Sequence, residues 1–287
     1  MSEKVEKVVA GGAGAIIGGG GAASATSVGI PGIPLEFGDQ DLLKVLATEY
    51  EKFSHNKYYG NAGGYTVKSG RLINYKGKLY YVIEKGANTL EELQTELDIT
   101  TFLLMDEEAS APHVSKLVAA KLNSEKVEGR KRPFSGLFIF DSENSQVETL
   151  GDFIKYRNID VSLQKVYNDL ENAIVAIHTA GIIHRDIKPE NIVILYNSYT
   201  PEGKLIKSPY PYKGLRIIDF GFAVPKGRTV TPAGTPGYMP VPYPEIANEA
   251  INMHALYIIK RKMGVYSRRA RRNQYRRRKS RRVQTRV

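Results

Sequence analysis

The sequence predicts an α+β fold of two lobes, a small β-rich lobe followed by a helix-rich one. Three observations predict it. Short segments rich in β-branched and aromatic residues, punctuated by Gly and Asn, crowd the region 57–83. Beyond residue 146 the apolar residues recur at three- and four-residue intervals instead. The chain has 287 residues, 42% of them apolar and 25% charged, which suffices for one large domain or two lobes with buried cores.

The elements follow in order. Residues 8–35 carry no charge and consist mainly of Gly, Ala, Ser and Pro. With few large apolar side chains, residues 1–35 read as a flexible arm rather than a membrane span or a secretory leader. Leu42, Leu43, Val45, Leu46 and Tyr50 predict a short helix over 41–53. Strands are expected at 57–59, 65–67, 72–75 and 79–83. Thr89 with Glu92 makes a capping box, and the helix behind it presents Leu90, Leu93, Leu97 and Leu104 on one face. A buried strand is expected at 136–141 (GLFIFD), then a polar link at 142–146. Leu163, Val166, Leu170, Ile174 and Ile177 form the stripe of the next helix, with Gly181 as its stop. No internal repeat is present.

Charge is unevenly spread. The net charge is +11, yet fourteen Lys and Arg and no Asp or Glu fall within 260–287, leaving the preceding body slightly acidic. Such a tail points to a nucleic acid, an acidic protein or a membrane surface as its own partner, nucleic acid first, with nuclear import and a merely solvated tail as the other readings. Cysteine is absent, which excludes a disulfide framework and any thiolate metal site.

Three stretches carry the chemistry. Residues 182–194 read IIHRDIKPENIVI, residues 215–224 read LRIIDFGFAV, and residues 234–239 read GTPGYM. In this order and at this spacing they resemble the catalytic loop, metal-binding motif and substrate-side segment of eukaryotic-type serine/threonine protein kinases. The resemblance implies a two-lobed kinase fold, with the β-rich lobe to about residue 140, the helical lobe from about 147, and the domain ending near 259 ahead of the tail. It implies Mg2+-dependent transfer of the ATP γ-phosphate to a protein hydroxyl.

The resemblance also assigns roles. Asp186 would accept or orient the proton of the attacking hydroxyl, and Lys188 would place a cation at the transferring phosphate. Asn191 and Asp219 would hold magnesium, since hard cations choose oxygen ligands. Lys188 and Thr235 fit the serine/threonine branch. His184 would brace the loop without moving a proton, and His178 reads as a packing residue. Lys85, ending the run Val82-Ile83-Glu84-Lys85, resembles the lysine that holds the α- and β-phosphates. Its partner glutamate is Glu96, with Glu92 as the alternative. For the loop over the phosphates, Gly60, Gly63 and Gly64 lie between two expected strands, in contrast to the glycine run at 11–21. The hinge, where adenine would meet backbone groups, falls at 139–142.

The sequence departs from the family in several places. Twenty-seven residues separate Asn191 from Asp219, and 196–213 reads as an inserted surface loop. Thr229 and Thr231 are candidate phosphosites that Arg185 could pair with. Tyr243-Pro244-Glu245 stands where the family writes Ala-Pro-Glu, only 42 residues follow it, and Asn252 stands where aspartate is usual. An arginine among 268–272 is expected to reach Glu245. A compact kinase core with such a tail resembles kinases of large DNA viruses, which implies an intracellular or virion location. The rival readings are a pseudokinase-like scaffold and a nucleic-acid-binding protein.

Overall fold

The structure, a computed structural model, describes residues 32–54, 71–129, 131–197 and 206–265. The expected strands at 57–59 and 65–67, the loop glycines Gly60, Gly63 and Gly64, most of the arm, and the tail beyond residue 265 with the arginines at 268–272 lie outside the described residues.

The first lobe comprises β1 (Glu36–Gly38), α1 (Gln40–Ser54), β2 (Arg71–Tyr75), β3 (Lys78–Ala87), α2 (Leu90–Leu104), β4 (Leu117–Asn123) and β5 (Phe134–Asp141). Its strands form an antiparallel sheet in the order β1-β4-β5-β3-β2. Lys76 and Gly77 both have positive φ, and the Gly77 N–H donates to Asn74 Oδ1 at 3.1 Å. That two-residue turn matches strand twist and sets the β2–β3 register. The period of two then gives the sheet two apolar faces. Val82 and Ile139 pack against Leu42, Leu43, Leu46 and Tyr50 of α1. Ile83 and Phe138 pack against Leu93 and Leu97 of α2. Covering both faces explains why FIF at 138–140 is an unbroken apolar run.

The cap of α2 forms with one change. Thr89 Oγ1 accepts from the Glu92 N–H at 3.2 Å, but Glu92 Oε2 reaches back to the N–H of Asn88, one residue before the cap. Residues 33–35, expected within the arm, are bonded to the first lobe. The Ile33 N–H donates to Asp98 Oδ1 at 2.9 Å, Gln94 Nε2 donates to the Ile33 carbonyl, and the Leu122 N–H donates to the Leu35 carbonyl. Residues 33–35 therefore belong to the lobe.

The second lobe comprises β6 (Gln146–Thr149), α3 (Leu150–Tyr156), β7 (Ile159–Asp160), α4 (Leu163–Thr179), β8 (Ile182–Ile183), β9 (Ile192–Tyr196), β10 (Tyr210–Ile217), β11 (Val224–Pro225) and α5 (Glu249–Met263). A sheet in the order β6-β9-β10-β7 lies alongside the helices, and β11 pairs with β8. Helix α4 begins at Ser162, whose Oγ accepts from the Lys165 N–H, and stops at Gly181 with φ +80°. Its buried stripe, Val166, Leu170, Ala173, Ile174 and Ile177, centres the largest core cluster with Phe153, Ile194, Ile217, Leu256 and Ile259.

Two boundaries move. The segment 196–213 is not wholly a loop, because Tyr196 ends β9 and 210–213 opens β10. Tyr212 Oη donates to Asp169 Oδ2 at 2.7 Å and Lys213 Nζ donates to the Glu143 carbonyl at 2.9 Å. At the other end α5 continues past 259. Met263 and Val265 are buried, and Gly264 in the left-handed region sends its N–H to the Arg261 carbonyl at 3.1 Å. The helix tolerates its basic last turn because cations favour a helix C-terminus, and Lys260 and Lys262 each sit 4.3 Å over a tyrosine ring, Tyr167 and Tyr238. Residues 260–265 therefore pack with the body.

Candidate active site

A cleft of about 650 Å³, counting space open to solvent, lies where β3, β5, β9 and β10 converge. Tyr81, Ile83, Phe140, Val147, Val193 and Leu195 supply apolar walls, and Lys85, Glu96 and Asp219 close its inner end. Its lining suits a small molecule held between apolar walls with a few polar anchors. Asp141, Ser142 and Glu143 line the cleft, overlapping the C-terminal part of the hinge expected at 139–142.

The polar end is assembled by three elements. Strand β3 presents Lys85 to Glu96 on the second turn of α2, and Lys85 Nζ also lies 3.2 Å from Asp219 Oδ1, just beyond β10. Glu96 is the partner; Glu92 is used at the helix cap. Burial pushes Glu96 up to about 6 against the pull of Lys85. Burial alone would lower Lys85, but Asp219 and Glu96 together raise it, so it stays protonated. Burial works to raise Asp219 as well, and the cations around it, Lys85 first, win and lower it. Asp219 has a left-handed φ of +70° and keeps 44% of its side-chain surface open to the cleft.

The second cluster forms around Asp186, which is 4% exposed. Lys188 Nζ lies 2.6 Å from Asp186 Oδ2, and Asn191 Nδ2 donates to the same oxygen at 3.0 Å and to the Asp186 carbonyl at 2.9 Å. Thr235 donates its N–H (2.8 Å) and its hydroxyl (2.7 Å) to Asp186 Oδ1, and Lys188 Nζ donates to Thr235 Oγ1 at 2.9 Å. Gly234 permits this approach. Its φ is +122°, and a Cβ there would meet the Arg185 carbonyl oxygen at 2.5 Å.

Short links lock the two clusters together. The Ile218 N–H donates to the Asn191 carbonyl at 3.0 Å. His184 Nε2 lies 3.0 Å from the Ile218 carbonyl while its Nδ1 accepts from the Asp186 N–H at 3.2 Å. Both contacts require a neutral ring protonated on Nε2, and burial lowers the basicity of His184 to match. Its ring packs against Phe220 at 4.7 Å between centroids. His184 is thus a brace, as expected.

Asn191 and Asp219 fit a magnesium site by their chemistry. With its amide nitrogen engaged by Asp186, Asn191 keeps its side-chain oxygen without a partner among the described residues, and Asp219 keeps Oδ2 likewise. A carboxylate oxygen at the cleft and an amide oxygen left over on Asn191 suit a cation that completes its shell with phosphate and water.

Several contacts around the candidate site escaped the sequence reading. Thr235 marks the class in the sequence, but its bonds to Asp186 are visible only in space. Arg216 makes a two-pronged ion pair with Glu143, at 3.0 and 2.8 Å, across the cleft rim. Asn252 Oδ1 accepts from the Arg185 N–H at 2.9 Å while its amide donates to His178 Nε2 at 2.9 Å. That bond needs a neutral His178, whose basicity burial lowers. The only signal in the sequence for the Asn252 role is its position where aspartate is usual.

With this geometry established, likeness to known proteins bears on it directly. Residues 139–258 match a family profile described as Protein kinase domain. The chain is 42% identical over 96 residues to serine/threonine-protein kinase DCLK2 of Mus musculus, covering 33% of this chain and 11% of that protein. It is 35% identical over 103 residues to serine/threonine-protein kinase PKH1 of Saccharomyces cerevisiae, covering 32% and 13%. A longer likeness, 26% over 186 residues, joins it to calcium-dependent protein kinase 5 of Plasmodium berghei, covering 64% and 27%. The chain thus spans about a tenth to a quarter of the length of these relatives. The fold is α+β and protein-kinase-like, and the matches support the eukaryotic-type protein kinase family. Among the described residues, no helix is long and apolar enough to cross a membrane.

Proposed function

We propose that this chain is an ATP-dependent serine/threonine protein kinase. The observation that carries the reading is the convergence of Lys188, Asn191 and Thr235 on one carboxylate, Asp186, beside a cleft that ends in Lys85, Glu96 and Asp219. The adenine edge would meet backbone groups at the expected hinge, 139–142. Lys85, held by Glu96, would bind phosphate oxygens. Asp186 would orient the substrate hydroxyl and take its proton, and Lys188 would neutralise charge that grows on the transferring group. Asn191 and Asp219 would hold magnesium, which when bound neutralises phosphate charge.

The test is transfer from γ-labelled ATP to a basic peptide containing serine and threonine, followed by identification of the labelled residue. Label on serine or threonine, absent in Asp186→Asn, supports the reading. A protein that binds nucleotide but never transfers would be the scaffold. The charge of 260–287 favours a second role, salt-dependent binding of nucleic acid. Removing 266–287 should abolish retention of duplex DNA at 50 mM salt and leave peptide phosphorylation intact. The absence of cysteine suits an intracellular location.

A further inference from the structure

We propose that Tyr243 is a positioning residue that holds the segment between Asp219 and Glu245 in order without a phosphate, so that the chain is active with Thr229 and Thr231 unmodified. The proposal begins at Arg185, next to Asp186. Its φ is +70°, a conformation that an arginine holds only when its surroundings impose it. Asn252 imposes it by accepting the Arg185 N–H.

The Arg185 guanidinium then reaches three separate points of the segment. Nε donates to Tyr243 Oη at 3.0 Å, Nη1 to the Phe222 carbonyl at 3.4 Å, and Nη2 to the Thr231 carbonyl. Its carbon also lies 6.0 Å from the centre of the Tyr243 ring. Among the described residues no carboxylate pairs with it. The start, middle and end of the segment are thus gathered on one cation by neutral acceptors. Tyr243 is the only side chain among them, and it stands where the resemblance calls for alanine, which could not reach.

A second, independent set of contacts holds the same segment. The Gly227 N–H donates to the Ala247 carbonyl, the Ala247 N–H to the Arg228 carbonyl, and the Val230 N–H to the Glu245 carbonyl, each at 2.8 Å. Thr229 faces Ile246 across this short antiparallel ladder. Beneath it Ile183, Ala247 and Ile251 form a small core against which Val224, Val230 and the Tyr243 ring pack. The ring anchors one side of the ladder and the hydroxyl anchors Arg185. This arrangement delivers Gly234 and Thr235 to Asp186.

The rate measurements below rest on the proposed kinase activity; the exchange measurements do not. The full chain is treated with a broad-specificity phosphatase until its mass shows no phosphate. Amide hydrogen exchange across 226–248 and phosphate transfer to a serine peptide are then followed. Unchanged protection and a rate within twofold are expected, and Thr229→Ala/Thr231→Ala should behave the same way. Tyr243→Phe keeps the ring and removes the hydroxyl. Loss of one hydrogen bond to a charged donor should speed exchange across 226–248 about tenfold. Transfer should slow by a similar factor through kcat, with nucleotide affinity within twofold and exchange in β9 unaltered. Loss of protection or of most activity on dephosphorylation of the wild-type chain overturns the proposal, as does a Tyr243→Phe chain identical to wild type in exchange. If no transfer occurs at all, the kinase reading fails while the exchange data still decide the role of Tyr243.

Discussion

The Lys85–Glu96 pair sits at the point where burial and charge oppose each other most directly. Glu96 is 4% exposed, and burial pushes its carboxyl up to about 6, so the pair is complete only above that pH. Nucleotide affinity should fall as pH drops from 7 to 5. In Glu96→Gln the affinity should be low throughout and flat with pH, as measured by titration with a fluorescent nucleotide. Stability carries the opposite sign. The folded-state value lies above the ordinary 4.5, so the contribution of Glu96 to stability is full below 4.5 and lost as pH rises through about 6. Chemical denaturation of wild type against Glu96→Gln should show that decline. His178 gives a second test at this scale. In Asn252→Asp the new carboxylate would face His178 Nε2 and favour the imidazolium, so the His178 pKa should rise from its depressed value, read by NMR titration. Once raised above its unfolded value, His178 would add stability below that unfolded value and lose it as pH climbs through the new folded one.

Among the elements, α4 carries the core of the second lobe. Leu170 is fully buried within its stripe, and Leu170→Ala should cost about 2–5 kcal/mol by urea denaturation, the range for a leucine cavity that cannot collapse. The period of 3.6 in this helix and the Gly181 stop were legible in the sequence because they are local: side-chain spacing and a glycine at positive φ suffice. The strand pairing at 192–217 was not legible. Tyr210 and Tyr212 read as loop because Pro and Gly surround them, yet β9 and β7 flank them and pair with their backbone. Neighbouring strands override propensity when they supply the hydrogen bonds.

For the molecule as a whole, the question is how the lobes are tied. Glu143, with φ +55°, lies in the link after β5, and Arg216 and Lys213 of β10 grip it by side chain and carbonyl. Both partners are partly exposed, 17% for Arg216 and 33% for Glu143, so solvent screens the pair. A double-mutant cycle of Glu143→Ala and Arg216→Ala should return a coupling of about 1 kcal/mol in thermal stability. It should also weaken nucleotide binding, because the rim of the cleft loses its brace.

By itself the sequence made legible the two lobes, the cap of α2 and the stop of α4, and its resemblance to the kinase motifs marked out Asp186, Lys188, Asn191 and Asp219 as candidates, since each motif lies within one loop or one strand end. It also singled out Lys85 and Glu96, eleven residues apart across a strand and a helix. Only the tertiary structure decided how these groups meet. Lys85 touches Asp219 across 134 residues, Thr235 reaches Asp186 across 49, and Arg185 reaches Tyr243 across 58. Tyrosine, asparagine and threonine are common in every segment, so their presence carries no signal until packing places them against a particular partner. The lobes follow from local periodicity; the contacts of the candidate site follow from which surfaces the cores bring together.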